Sequence, residues 1–194
     1  MAPRQRICVF AGSSAGVRES YLIAARELGA EIARRGHGMV YGGASCGLMG
    51  ACADAALAGG GEVVGVLPRA LTSREIAHAG LTEMRIVGSL HERKAVMSAL
   101  SDGIVALPGG CGTMDELFEA ITWAQLGLHE KPIGLLDADS YFAPLLRFLD
   151  HMGTEGFVRP PVQLVRARTA RELLDQLLLA PPAAVSPKGP PPAP

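Results

Sequence analysis

Seven short apolar runs, at residues 7–10, 38–41, 63–67, 83–87, 104–107, 133–136 and 162–165, alternate with longer stretches of helical periodicity. The helical stretches fall at 19–35, 48–58, 90–100, 113–128 and 143–151, with 170–179 after the last run. Most of the runs carry no charge, as befits strands buried on both faces of a parallel sheet. Few architectures accept such alternation. It implies βαβ units with right-handed crossovers, and so predicts an α/β fold. The expected form is a Rossmann-like, doubly wound parallel sheet of about seven strands with helices on both faces.

The chain has 194 residues, 48% of them hydrophobic, enough for one domain with a substantial core, here assigned to residues 1–180. Residues 181–194 are dominated by proline and alanine and hold too little apolar side-chain area to pack, so a disordered tail is expected. A net charge of −1 and the lack of a basic stripe argue against an extended nucleic-acid footprint. No apolar run approaches membrane-spanning length, and the N-terminus shows no signal-peptide core. Cys8, Cys46, Cys52 and Cys111 form no C-x-x-C pair and read as reduced thiols. A cytoplasmic protein is the expectation. The five histidines show no paired-ligand spacing, and neither a metal nor a cofactor is expected.

Three of the runs end in glycine-rich turns: Phe10-Ala-Gly-Ser-Ser-Ala-Gly, Tyr41-Gly-Gly-Ala-Ser-Cys-Gly and Leu107-Pro-Gly-Gly-Cys-Gly-Thr. In a parallel sheet the strand C-termini share one edge, where ligands bind at the switch in strand order. Glycines let the backbone approach a ligand closely, and the free N–H groups of a helix N-terminus suit a phosphate. Gly12, Ser13, Gly42, Gly43, Gly110 and Gly112 are therefore candidate phosphate or nucleotide contacts. None of the turns fits G-x-G-x-x-G with a placed acid, and none is a P-loop.

Two charged residues stand out. On the 90–100 stretch, Leu90, Val96, Met97 and Leu100 form an apolar stripe at helical spacing with Arg93 in its middle, Glu92 opposite and Lys94 on the flank. An inward guanidinium needs an anion; a structural ion pair, or a snorkelling stem with its head in water, fits the spacing equally. Thr113-Met-Asp-Glu116 reads as a capping box, with Thr113 at the N-cap and Asp115 and Glu116 in the first turn. Spacing leaves Glu116 open as a cap or as a catalytic acid-base residue. Near a helix N-terminus it is expected to be ionised, a base or a stabiliser of cations. Cys111 has no identifiable base and reads as a pocket wall.

On these residues the chain resembles the Lonely guy (LOG) family of cytokinin-activating phosphoribohydrolases, long labelled "lysine decarboxylase-like". The resemblance spans roughly residues 6–180 and is carried by Pro108-Gly-Gly-Cys-Gly-Thr-Met-Asp-Glu116, which follows P-G-G-x-G-T-x-x-E, and by His91-Glu-Arg-Lys94 with Met97. Tyr41-Gly-Gly, Gly47-Leu-Met-Gly50, Arg74-Glu-Ile-Ala-His78 and Thr122-Trp-Ala-Gln-Leu-Gly127 support it. The resemblance implies cleavage of the N-glycosidic bond of adenosine-type 5′-monophosphates, N6-prenylated ones included, to free base and ribose 5-phosphate. It places the catalytic pair on Arg93 and Glu116. It places nucleotide contacts on Glu75, Lys94, Gly110, Cys111, Gly112, Thr113, Met114, Asp115, Glu116 and Thr122. Cys111 stands where the family often has an aromatic residue, which bears on base preference. No pattern for a pyridoxal phosphate site is identified, against the decarboxylase label.

Two other readings share the scaffold. One is a carrier that binds a nucleotide or cofactor without catalysis, as molybdenum-cofactor carriers do on a similar fold. The other is a nicotinamide oxidoreductase, which lacks its fingerprint here. The 113–128 stretch carries Leu117, Phe118, Ile121, Trp123, Leu126 and Leu128 around most of its circumference. That is more apolar surface than one sheet face covers, and a homodimer is expected, as the resemblance also implies.

Overall fold

The computed structural model describes residues 5–72, 77–157 and 163–180. Seven strands are interleaved with six helices, β3 and β4 being joined, among the described residues, only through a short 3-10 turn at Arg69–Leu71: β1 (Arg6–Phe10), α1 (Glu19–Arg34), β2 (Gly38–Tyr41), α2 (Gly47–Ala58), β3 (Val63–Pro68), β4 (Glu83–Val87), α3 (Leu90–Ala99) and β5 (Gly103–Ala106). They continue as α4 (Cys111–Gln125), β6 (Ile133–Leu136), α5 (Ala143–Thr154), β7 (Leu164–Ala167) and α6 (Ala170–Leu179). The sheet is parallel in every pairing, in the order β4-β3-β2-β1-β5-β6-β7. From β1 the chain winds outward through β2, β3 and β4, then crosses back to β5 and winds out the other way. The switch in strand order therefore lies between β1 and β5, where Ile7 pairs with Gly103 and Phe10 with Ala106. The three strands that carry glycine turns, β2, β1 and β5, are neighbours at the centre of the sheet.

Both faces of the sheet are covered. Along β1, side chains alternate in the strand's period of two. Ile7 and Val9 join Leu28, Ile32, Cys52, Leu173 and Leu177 under α1, α2 and α6. Cys8 and Phe10 join Met97, Leu117, Ile121 and Phe142 under α3, α4 and α5. The site elements α3 and α4 thus share the second face.

Three expectations change. The last strand is β7, Leu164–Ala167, two residues beyond the run read at 162–165. Leu90 is 53% exposed, because only the Arg93–Met97 turn of α3 reaches the sheet. Helix α4 starts at Cys111 with Gly110 at its N-cap, so Thr113 is a buried third helical residue and the Thr113–Glu116 capping box does not form. Glycine already supplies a permissive N-cap, and Thr113 is drawn inward to pack beneath Gly109, where a Cβ would lie 2.1 Å from its Oγ1. Glu75 and residues 181–194 lie outside the described residues.

Candidate functional site

Helix α3 aims Arg93 at the sheet edge. Ser89 at the N-cap accepts a hydrogen bond from the Glu92 N–H (3.1 Å), and the Glu92 carboxylate accepts one from the Gly88 N–H (2.7 Å). This closed first turn holds Glu92 in solvent. Arg93, one residue on, points the opposite way and is only 8% exposed. Its Nε donates to the Val66 carbonyl within β3 (3.1 Å) and its Nη2 to the Gly42 carbonyl beyond β2 (3.3 Å). A buried guanidinium fixed by backbone carbonyls is a preset positive charge. Gly42 makes room for it: a Cβ there would lie 1.9 Å from Arg93 Nη2. Gly42→Ala is therefore expected to evict the guanidinium, to destabilise the fold by about 1–3 kcal/mol and to abolish activity. A melting temperature and turnover equal to wild type would show that the guanidinium can stand elsewhere.

Glu116 comes to the same place from α4. Its Oε1 lies 3.9 Å from Arg93 Nη2, and both side chains are largely shielded, 12% and 10% exposed. It sits in the second helical turn, so Arg93 supplies the positive charge that the helix terminus was expected to supply. Behind the pair lies Cys8 on β1. Burial, reinforced by the Glu116 carboxylate, pushes its thiol far above the ordinary range, although Lys131 and Arg93 pull the other way. Cys8 is an inert wall.

Lys94 reaches α4 alongside, bonding Asp115 Oδ2 (3.0 Å) and pairing with Glu119. Burial works against its ammonium, but Glu119 and then Asp115 outweigh it and hold its pKa above the usual lysine value. Two interhelical carboxylates thus engage Lys94 next to Arg93, tying α3 to α4. Asp115 is exposed and Met114 half-buried against the α3–α5 face. Thr122, also exposed, spends its hydroxyl on the Phe118 carbonyl (2.7 Å) and stands about 9 Å along the helix from Glu116.

The glycine turns meet at the strand switch. The Gly12 N–H donates to the Pro108 carbonyl (3.0 Å), and the N–H groups of Leu48 and Met49 in α2 converge on the Gly12 carbonyl. A cavity of about 360 Å³ lies between the β1 turn (residues 12–16) and the β5 turn (residues 108–110). Gly12, Ser13 and Gly110, candidate phosphate contacts, line it together with Leu48, Tyr21 and Tyr141. Cys111 and Gly112 follow, exposed in the first turn of α4; nothing stands within 4 Å of a Cβ placed at Gly110 or Gly112. Gly43, in the left-handed region at φ 83°, turns the chain after β2 so that its carbonyl accepts from the His78 N–H (3.0 Å). Sequence reasoning missed Tyr21 and Tyr141. They are distant in the chain and carry no shared motif; the topology alone brings them to one cavity.

A doubly wound sheet with glycine turns at its switch point and a buried Arg–Glu pair beside them is the architecture of a nucleotide-handling protein. The sequence profile of a family described as "Possible lysine decarboxylase" matches residues 49–177. The chain is 51% identical over 175 residues to the probable cytokinin riboside 5′-monophosphate phosphoribohydrolase LOGL5 of Oryza sativa subsp. japonica, covering 89% of this chain and 71% of that protein. It is 49% identical over 175 residues to the cytokinin riboside 5′-monophosphate phosphoribohydrolase LOG1 of Arabidopsis thaliana, covering 89% and 82%. Among solved structures, the molybdenum cofactor binding protein of Rippkaea orientalis is 21% identical with a TM-score of 0.69, over 92% of this chain and 98% of that one. The molybdenum cofactor carrier protein of Chlamydomonas reinhardtii is 24% identical, also with a TM-score of 0.69, over 91% and 99%. These structural likenesses show the fold. The sequence relationships show the family: the chain belongs to the LOG family.

Proposed function

We propose that this protein hydrolyses the N-glycosidic bond of adenosine-type 5′-monophosphates, cytokinin nucleotides and AMP among them, releasing the free base and ribose 5-phosphate. The observation that carries this reading is the shielded Arg93–Glu116 pair at the sheet's C-terminal edge, in a chain about half identical to proteins named for that reaction. Breaking a ribosyl C–N bond builds positive charge on the sugar, an oxocarbenium-like state of the kind met in glycoside hydrolysis. Glu116 stabilises that charge and takes a proton from the attacking water. Arg93, anchored to the carbonyls of Val66 and Gly42, fixes the carboxylate beside the ribose. N–H groups of the β1 and β5 turns hold the 5′-phosphate, and binding so far from the reacting bond positions that bond. Incubation with N6-prenylated AMP tests the reading: chromatography shows free base if it is right and intact nucleotide if the protein only carries its ligand. The carriers share the fold, but a carrier has no use for an acid held against an arginine beside the sugar.

The working unit in this reading is a homodimer. Leu126 and Leu128, just beyond the last turn of α4, and Phe148 on α5 are 58%, 68% and 54% exposed, large apolar side chains that a second copy would cover. Light scattering at micromolar concentration is expected to give twice the chain mass, and a monomer would contradict it. The free cysteines and the want, among the described residues, of any helix long and apolar enough to cross a membrane support a cytoplasmic enzyme.

A further inference from the structure

The corner between β6 and α5 is built more tightly than a connector requires. Asp137, fully buried, accepts from the Phe142 N–H (2.7 Å) and from Arg166 Nε (2.7 Å). Between these anchors, Asp139 and Ser140 both adopt left-handed backbone, at φ 52° and 58°. Such a conformation is uncommon outside glycine and persists only where surrounding structure imposes it. Helix α1 imposes it here: the Ser20 hydroxyl bonds the Asp139 carboxylate, and Arg18 Nη1 stands 3.6 Å from the same oxygen. The outcome is a fixed place for Tyr141. Its ring meets Tyr21 and Phe142 edge-on, with centroids 5.7 and 5.1 Å away, and its hydroxyl donates to the Gly109 carbonyl at 2.5 Å.

That bond falls on a peptide between two glycines. Gly109 and Gly110 flank it without a Cβ on either side, so no side chain of its own bars the peptide from turning over, and an outside contact must hold it. In a trans peptide the carbonyl and the following N–H point in opposite directions. Holding the Gly109 carbonyl against Tyr141 therefore fixes the Gly110 N–H, at the N-cap of α4, on the other side. The flipped peptide would withdraw that donor and offer an incoming anion a carbonyl oxygen. We propose that Tyr141 is a positioning residue that locks the Gly109–Gly110 peptide in its anion-binding orientation and so sets the affinity of the glycine turn for the 5′-phosphate; this deepens the phosphoribohydrolase reading and takes the phosphate cradle from it.

Tyr141→Phe tests this, since it keeps the ring and its edge contacts and removes only the hydroxyl. Three quantities are measured: the Kd for inorganic phosphate by calorimetry, KM and kcat for AMP, and the melting temperature. The Kd and KM are expected to rise together by roughly 10-fold or more, the scale of one lost hydrogen bond to a charged group. The value of kcat should change far less, and the melting temperature should fall by no more than about 4 °C. Ser20→Ala, which loosens the corner without touching Tyr141, is expected to shift Kd in the same direction by less, and serves if Tyr141→Phe fails to fold. An unchanged phosphate Kd in the folded variants, or wild-type protein that does not bind phosphate, overturns the proposal. Wild-type protein that binds phosphate in a Tyr141-dependent way but cleaves no nucleotide overturns the phosphoribohydrolase reading and leaves the role of Tyr141 standing.

Discussion

Glu116→Gln is expected to lower kcat by roughly 10²–10³-fold or more, the scale seen when one transition-state electrostatic contact is removed. Glutamine keeps the shape and removes the charge. The fold should scarcely notice, because α4 is capped at Gly110 and Arg93 keeps its bonds to the carbonyls of Val66 and Gly42. Loss of activity without loss of stability is what separates a catalytic carboxylate from a scaffold one. Arg93→Lys sharpens the comparison. Lysine retains a positive charge but not the planar fork that serves two carbonyls and faces Glu116 at once. It should recover little activity, and the double variant should be barely worse than either single one, since the two side chains act as a unit. Turnover near normal in Glu116→Gln, measured by base release, would return both residues to the scaffold.

Adenosine is expected to be a poorer substrate than AMP by about 10³-fold or more in kcat/KM, the combined effect of two or three charge-assisted hydrogen bonds. The expectation comes from the convergence of the β1 and β5 turns on one cavity at the strand switch. Removing the whole phosphate, unlike weakening one of its hydrogen bonds, takes away the remote binding that positions the reacting bond, so its loss should appear in kcat as well as KM. Comparable kcat/KM values for the two compounds would remove the phosphate cradle from the account.

The sheet was legible in the sequence because apolar runs, most of them uncharged, separated by helical stretches admit little else; β2 and β6 lie where uncharged runs predict, and β4 where the charged edge run at 83–87 does. Arg93 was legible for a related reason: a charge in the middle of an apolar stripe must find a partner, and spacing alone left open whether that was a carboxylate, a ligand or water. The structure supplies two carbonyls and Glu116. The start of α4 was misread because a threonine three residues before a glutamate is a strong local signal, while the true N-cap, Gly110, has no side chain to announce it. The exposure of Leu90 was hidden too, since a stripe does not reveal how far along the helix the sheet extends. The cavity wall of Tyr21 and Tyr141 depends on which strands end up adjacent, information held in the strand order and in no local motif.

The most direct measurement of the central claim is a product balance on N6-prenylated AMP with the full-length protein. For each nucleotide consumed, the account requires one free base and one ribose 5-phosphate, with wild-type protein active and Glu116→Gln almost silent. Nucleoside and inorganic phosphate as products, or nucleotide recovered intact and bound to the protein, would contradict it.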